Sequence, residues 1–191
     1  MLGSHNTLTY NKIRGWRKLL TPWSKCQEVD YKKQYELGVR YFDIRIKFIN
    51  NLPVAVHNKN VYKFGHTELD EMFSWMNEKE DCYFRIVLDI RKTPKDADKQ
   101  GDLFEKYIAN IEGKYPNINI DEALIAWDYT HTRLDREHKY IYEKHASVTS
   151  NWEVIKTPKH YAKQHNGSIR YSYKATLKSD NSALLIDFVN I

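Results

Sequence analysis

Gly38-Val-Arg-Tyr-Phe-Asp-Ile-Arg-Ile46 decides how this chain is read. As an extended strand it sends Tyr41, Asp43 and Arg45 to one face and Arg40, Phe42, Ile44 and Ile46 to the other, because successive side chains alternate. One face is largely apolar and seeks a core. The other carries a carboxylate and a guanidinium two positions apart. Such a pair is either a structural ion pair or the floor of a reactive site, and buried charges persist only where something compensates their desolvation.

Working outward, apolar strands alternate with amphipathic helices. Met1-Leu2 is a stub of strand before the loop Gly3-Ser-His-Asn-Thr7. Tyr31 to Leu37 reads as a helix ended by Gly38. A strand over Arg40–Ile46 and another over Leu52–Val56 flank the turn-forming pair Asn50-Asn51. Thr67 reads as an N-cap, with Asp70 three residues on, opening a helix to about Asn77. Phe84–Ile90 is a strongly apolar strand, Asp102–Tyr115 a helix ended by Pro116, and Ala123–Asp128 a short strand. Ile169–Leu177 reads as extended. Ala183–Val189 is a buried terminal strand with one acid, Asp187.

This alternation predicts a mostly parallel sheet. The chain lacks both the Gly-x-Gly-x-x-Gly and the Gly-x-x-x-x-Gly-Lys-Ser/Thr patterns, so a nucleotide-binding doubly wound sheet is disfavoured. A small closed barrel remains. Reactive residues of such barrels gather at the C-terminal ends of strands. His5, Asp43, Arg45, His57, Asp89, Arg91 and Asp187 all fall at or near predicted strand ends.

At 191 residues, one domain over 1–191 is expected. The net charge of +5 favours anionic partners: phosphate groups, nucleic acid or acidic lipid surfaces. Cys26 and Cys82 are too few for a four-ligand metal cage or a disulfide framework, so both are expected as reduced thiols. No apolar run reaches the roughly 20 residues that span a bilayer. His5, Asn6 and Tyr10 interrupt the apolar segment that a signal peptide needs. A cytoplasmic or non-classically released monomer is the expectation.

Several of these residues occur together in one family. Gly3-Ser-His-Asn-Thr7, then Trp23, Gln27 and Gln34, then the strand through Arg45, then His57 after an apolar strand, resemble the X-domain of phosphatidylinositol-specific phospholipase C. The Phe84–Arg91 strand and Ile186-Asp-Phe-Val189 fit the same order, so the resemblance spans nearly the whole chain. It implies an α/β fold, a small, distorted or incomplete (β/α)8 TIM-like barrel. It implies His5 as the general base on the inositol 2-hydroxyl and His57 as the general acid on the departing glycerol oxygen. Histidine suits both tasks, since its ordinary pKa lies near neutrality. Arg45 falls where metal-independent bacterial members carry an arginine and calcium-dependent members an acidic calcium ligand. No cofactor is therefore expected, and Arg45 disfavours calcium. Arg91, basic where calcium-dependent members are acidic, argues the same way. Asp187 matches the acid that orients the first histidine, provided the last strand is the eighth of the barrel and not the seventh. Asp43 is the expected anchor of Arg45 or a histidine.

The chain departs from the bacterial pattern at Asn6, where those members usually carry Asp. An amide cannot act as the anionic partner of an imidazolium, so His57 is left with a weakened partner or borrows Asp43 or Asp89. Asn6, Asp89, Arg91, Trp127 and Tyr129 are candidate substrate contacts. The other six histidines (His66, His131, His138, His145, His160 and His165) are expected on surfaces and helices. The stretch Arg14-Arg17-Lys18 with Trp16, Leu19, Leu20 and Trp23 is either a solvated segment or a rim that touches membranes.

The leading expectation is metal-independent cleavage of phosphatidylinositol or a related inositol phospholipid, giving diacylglycerol and inositol 1,2-cyclic phosphate, with transient membrane contact. A metal-dependent glycerophosphodiesterase and a non-catalytic phosphoinositide-binding barrel are the alternatives. Nucleic acid, suggested by charge alone, is not an expected partner.

Overall fold

The computed structural model describes residues 1–90, 97–127, 130–133, 141–145, 157–176 and 182–191. The strands and helices are β1 (Leu2–Ser4), α1 (Thr21–Ser24), α2 (Tyr31–Glu36), β2 (Val39–Ile49), β3 (Leu52–His57), β4 (Asn60–Val61), α3 (His66–Asn77), β5 (Tyr83–Asp89), α4 (Ala97–Lys114), β6 (Asn119–Trp127), β7 (Thr130–Arg133), β8 (Ile141–His145), α5 (Pro158–Thr176) and β9 (Ser182–Ile186). One sheet runs β7-β6-β5-β2-β1-β9-β8, with β3 and β4 extending from β2. From β6 to β8 along that path every neighbouring pair is parallel, while β7 runs antiparallel to β6. Among the described residues β7 and β8 do not pair, so the sheet is an open, incomplete barrel.

The alternation along β2 is obeyed. Phe42, Ile44 and Ile46 point outward into the main core with Leu69, Met72 and Phe73 of α3 and Phe104 and Ile108 of α4. Phe42 stacks on Phe84 of β5 at 5.8 Å between ring centres, and Phe73 meets Phe84 edge-on at 5.6 Å. Tyr41, Asp43 and Arg45 point into the barrel and are buried too. The apolar face thus anchors the strand against helices and leaves the charged face for the interior.

The strand is longer than Arg40–Ile46. Asn50 and Asn51 adopt φ of 52° and 63°, which asparagine tolerates and a two-residue hairpin turn requires. β3 returns along β2 with Ile49 opposite Leu52 and Ile46 opposite Ala55. Gln100 of α4 closes this extension. Its carbonyl accepts the Phe48 N–H at 2.9 Å and its amide donates to the Phe48 carbonyl at 2.8 Å. Asp43 and Arg45 therefore lie in mid-strand, not at its end, and the hairpin carries His57 back toward Arg45.

Two further expectations are corrected. The N-cap of α3 is Gly65, not Thr67: the Glu68 carboxylate accepts the Gly65 N–H at 2.9 Å, a bond that fixes the helix start two residues earlier. Of the expected extended stretch Ile169–Leu177, Leu177 lies outside the described residues and Ile169–Thr176 is helical, α5 continuing through Thr176. Its start at Pro158 sets helical φ without losing a bonded N–H, and burial of Tyr161, Ala162 and Asn166 upstream outweighs the β-propensity of Ile169 and the tyrosines. β9 lies directly beside β1, the place of an eighth strand in a closed barrel. No helix among the described residues is long and apolar enough to cross a membrane.

Candidate active site

β1 is only three residues long and is wedged between β2 and β9. Gly3 makes this possible, since a Cβ there would lie 2.5 Å from Leu185 Cδ2 and 3.2 Å from the Tyr41 carbonyl oxygen. The chain then turns through Asn6 in the left-handed region, at φ 48°. Two buried glutamines hold the turn. Gln27 donates to the carbonyls of His5 (3.0 Å) and Ile186 (2.9 Å) and accepts the Val189 N–H at 3.1 Å. Gln34 donates to Thr7 and Val29 carbonyls and accepts the Ser4 hydroxyl.

His5 is buried. Its Nδ1 lies 2.7 Å from Asp187 Oδ1, and its Nε2 lies 3.3 Å from Arg45 Nη2. The carboxylate fixes Nδ1–H, which leaves Nε2 as the acceptor of the guanidinium N–H. Asp187 follows β9 directly, ahead of Phe188 at φ 50°. Three bonds hold that unfavourable turn. Phe188 N–H donates to the Cys26 carbonyl at 2.6 Å, and Asn166 Nδ2 donates to the carbonyls of Asp187 (2.8 Å) and Phe188 (3.1 Å).

Asp43 is the hub beneath. It accepts the Asn6 N–H at 3.0 Å, Arg45 Nε–H at 3.4 Å and Arg85 Nη1–H at 2.6 Å, and lies 3.8 Å from His5 Nε2. Burial alone would raise its pKa, but Arg45, Arg85 and His5 together hold the carboxyl well below the usual range. Arg85 also donates to Glu122 at 2.5 Å, so it links β2 to β6 through β5.

His57 is half-buried. Its Nδ1–H donates to the Ser24 carbonyl at 2.8 Å, turning Nε2 toward Asn6 Nδ2 at 3.4 Å. Burial first, then the Arg45 charge, pull its pKa down to about 3, so the ring is neutral at pH 7. Among the described residues neither Asp43 nor Asp89 serves as its acidic partner; Nδ1–H is bonded to the Ser24 carbonyl instead. The Asn6 amide bridges the histidines, with Nδ2 also 3.1 Å from His5 Nε2.

Asp89 accepts the Asn58 N–H at 3.2 Å and lies 3.8 Å from Arg45 Nη1. The structure thus gathers His5, Asn6, Asp43, Arg45, His57, Asp89 and Asp187. Arg91, Asp128 and Tyr129 lie outside the described residues, and Trp127 is described only as the last backbone position of β6. Arg85 and Glu122 are members of the site that the sequence does not announce, and the Cys26 thiol is a neighbour of it rather than a member. A charge inside the apolar run Phe84–Ile90 was the available signal for Arg85, since arginine is rarely buried unpaired. Among the described residues, His5, Cys26 and Asp187 could hold a metal: their donor atoms all lie within 4.8 Å of one another.

No family model matches the chain. A 1-phosphatidylinositol phosphodiesterase of Listeria monocytogenes is 30% identical over 137 residues, 72% of this chain and 38% of that protein. A PI-PLC X-box domain-containing protein of Dictyostelium discoideum is 48% identical over 40 residues, 21% of this chain and 5% of that protein. The chain is a relative of the phosphatidylinositol-specific phospholipases C. It spans well under half the length of these two relatives. The phosphatidylinositol-specific phospholipase C of L. monocytogenes superposes over 98% of this chain and 87% of its own, with a TM-score of 0.64 at 14% identity. A mutant of the Staphylococcus aureus phospholipase superposes over 98% and 85%, with a TM-score of 0.66 at 16% identity. Phospholipase C structures of this kind therefore share the chain's fold, that of a TIM-like barrel, here left incomplete.

Proposed function

We propose that this phospholipase C relative cleaves phosphatidylinositol or a related inositol phospholipid without a metal. One observation carries the reading: His5 holds its proton on Nδ1 against Asp187 and presents Nε2 beside the Arg45 guanidinium, 3.3 Å away. A base and an anion clamp side by side suit a phosphodiester whose own hydroxyl attacks. His5 Nε2 takes the proton of the inositol 2-hydroxyl as that oxygen bonds to phosphorus. The bond from phosphorus to the glycerol oxygen breaks, and His57 Nε2–H protonates the departing oxygen. Diacylglycerol and inositol 1,2-cyclic phosphate result. Arg45 bonds the non-bridging oxygens as charge grows on them. Asp187 stabilises the imidazolium of His5. Asp43 positions Arg45 and the Asn6 N–H, while Asn6 and Asp89 line the substrate.

His57 enters this scheme neutral. The bound phosphate anion supplies the opposite charge that raises its pKa, so proton uptake accompanies substrate binding. Membrane approach is assigned to the segment before α1 and to α1 itself, where Trp16, Leu19 and Trp23 are 72%, 73% and 51% exposed beside Arg14, Arg17 and Lys18. The second reading, a headgroup-binding barrel without turnover, draws on that same neutral His57, which has no carboxylate partner among the described residues.

Turnover of phosphatidylinositol vesicles by His5→Ala and Arg45→Ala separates the two. Each variant should keep its fold and lose at least about a hundredfold in rate, the usual result of removing a transition-state donor. Full activity in either variant overturns the mechanism. Tight headgroup binding with no turnover in the unmodified protein selects the second reading.

A further inference from the structure

Cys26 has no part in the proposed reaction, yet its buried thiol lies against the site. Its N–H donates to Thr9 Oγ1 at 2.9 Å and its carbonyl accepts the Phe188 N–H at 2.6 Å, so the backbone on both sides of the barrel seam holds it in place. The sulfur, a His5 ring nitrogen and an Asp187 oxygen lie mutually within 4.8 Å. Tetrahedral zinc sites place such donors about 2.0–2.3 Å from the ion, so a contraction of about an ångström closes three ligands around one centre. A fourth is at hand. The Asn6 amide group lies 3.4 Å from Cys26 Sγ and 3.3 Å from His5 Nδ1. Its Oδ1 is buried with no hydrogen-bond partner among the described residues. Rotating the amide half a turn brings that oxygen to the same centre and leaves no bond broken on the oxygen side.

We propose that His5, Cys26 and Asp187, completed by Asn6 Oδ1, form an inhibitory site for a soft divalent cation such as Zn²⁺ or Cd²⁺. Thiolate and imidazole donors select these ions over calcium and magnesium. Binding forms bonds from the metal to Cys26 Sγ and His5 Nδ1; the thiol proton goes to water, and the Nδ1 proton moves to Nε2 as the imidazole changes tautomer. The thiolate and the Asp187 carboxylate together neutralise the ion, so Arg45, on the Nε2 side of the His5 ring, does not repel it. The metal takes Nδ1 of His5 and Asp187 away from each other, and the base loses its orienting partner. The inhibitory effect rests on the reading of His5 as the base; the binding itself does not.

The test uses the whole protein, stripped with EDTA, then titrated with Cd²⁺ and separately with Zn²⁺. Cd²⁺ should give a thiolate-to-metal charge-transfer band saturating at one equivalent, with release of a proton. Zn²⁺ should abolish lipid cleavage, and EDTA should restore it. Cys26→Ala should lose the band, keep its metal-free rate, and raise the inhibiting Zn²⁺ concentration at least about tenfold, since even second-shell losses weaken metal sites by 10–100-fold. Cys82→Ser should behave as the unmodified protein, its thiol lying before β5 at the opposite end of the barrel. Absence of the band in the unmodified protein overturns the site, whether or not Cys26→Ala folds. Equal Zn²⁺ sensitivity in a folded Cys26→Ala overturns it too. A band in a protein that never cleaves lipid keeps the metal site and retires the catalytic reading of His5.

Discussion

Replacing Asn6 by Asp tests the electrostatics of the site with one atom changed. Asparagine and aspartate both tolerate the left-handed backbone at φ 48°, so the turn should survive. The new carboxylate oxygen takes the place of Nδ2, 3.4 Å from His57 Nε2. At an effective dielectric of about 20, opposite charges at that distance attract by about 5 kcal/mol. Asp43 and Asp187 nearby draw on the same cations and raise the newcomer's own pKa, so the net effect falls in the ordinary range for a paired group, about 1–3 pH units. His57, pulled down to about 3 by burial and the Arg45 charge, should then titrate one to three units higher. Its protonated fraction at pH 7 should rise roughly ten- to a thousandfold, since each unit is a factor of ten. The measurement is an NMR titration of the imidazole resonances, with His57→Gln to assign them. The basic limb of the pH–rate profile should move the same way. A His57 shift below half a unit, or a downward one, refutes the placement of Asn6 between the two rings.

Arg85→Met removes the guanidinium shared by two buried carboxylates, Asp43 and Glu122. Breaking such a network costs about 3–5 kcal/mol, or a fall in Tm of about 6–20 °C for a chain this size, read by thermal unfolding; a loss under about 1 kcal/mol contradicts the ion-pair geometry. His57 makes stability depend on pH. Its pKa is lower folded than unfolded, so between about 6.5 and 3 the unfolded chain binds more protons and stability rises with pH, by at most about 1.4 kcal/mol per unit. Asp43, held low by its arginines, adds to that slope only below its ordinary value of 3.8. Urea unfolding at pH 4.5 and 6.5 should show a smaller difference in His57→Gln, and an unchanged difference removes His57 as its source.

The barrel was legible because its signals are local. The period-two pattern of Arg40–Ile46 names both faces of β2, Gly38 closes the helix before it, and Asn50-Asn51 turns the hairpin. His5, Arg45 and Asp187 could be named because they are chemically unusual side chains at ordered places. What could not be read depends on contacts distant in sequence. His57 bonds a backbone carbonyl, Ser24, and carbonyls leave no mark in a sequence. Arg85 hides in an apolar run, its partners Asp43 and Glu122 lying on neighbouring strands. The helical state of Ile169–Thr176 follows from packing upstream, against the local preference of its residues. Thr67 and Gly65 both precede plausible helix starts, and only the Glu68 bond to Gly65 chooses between them.

Arg45 carries most of the proposed chemistry, as the phosphate clamp and as the cation that stands in place of a metal. Phosphorus NMR of the products from phosphatidylinositol vesicles, in excess EDTA, tests it most directly. Inositol 1,2-cyclic phosphate should appear at an undiminished rate and vanish in Arg45→Ala. Cleavage that stops in EDTA and returns with calcium, or that yields no cyclic phosphate at any time, would contradict the proposed chemistry.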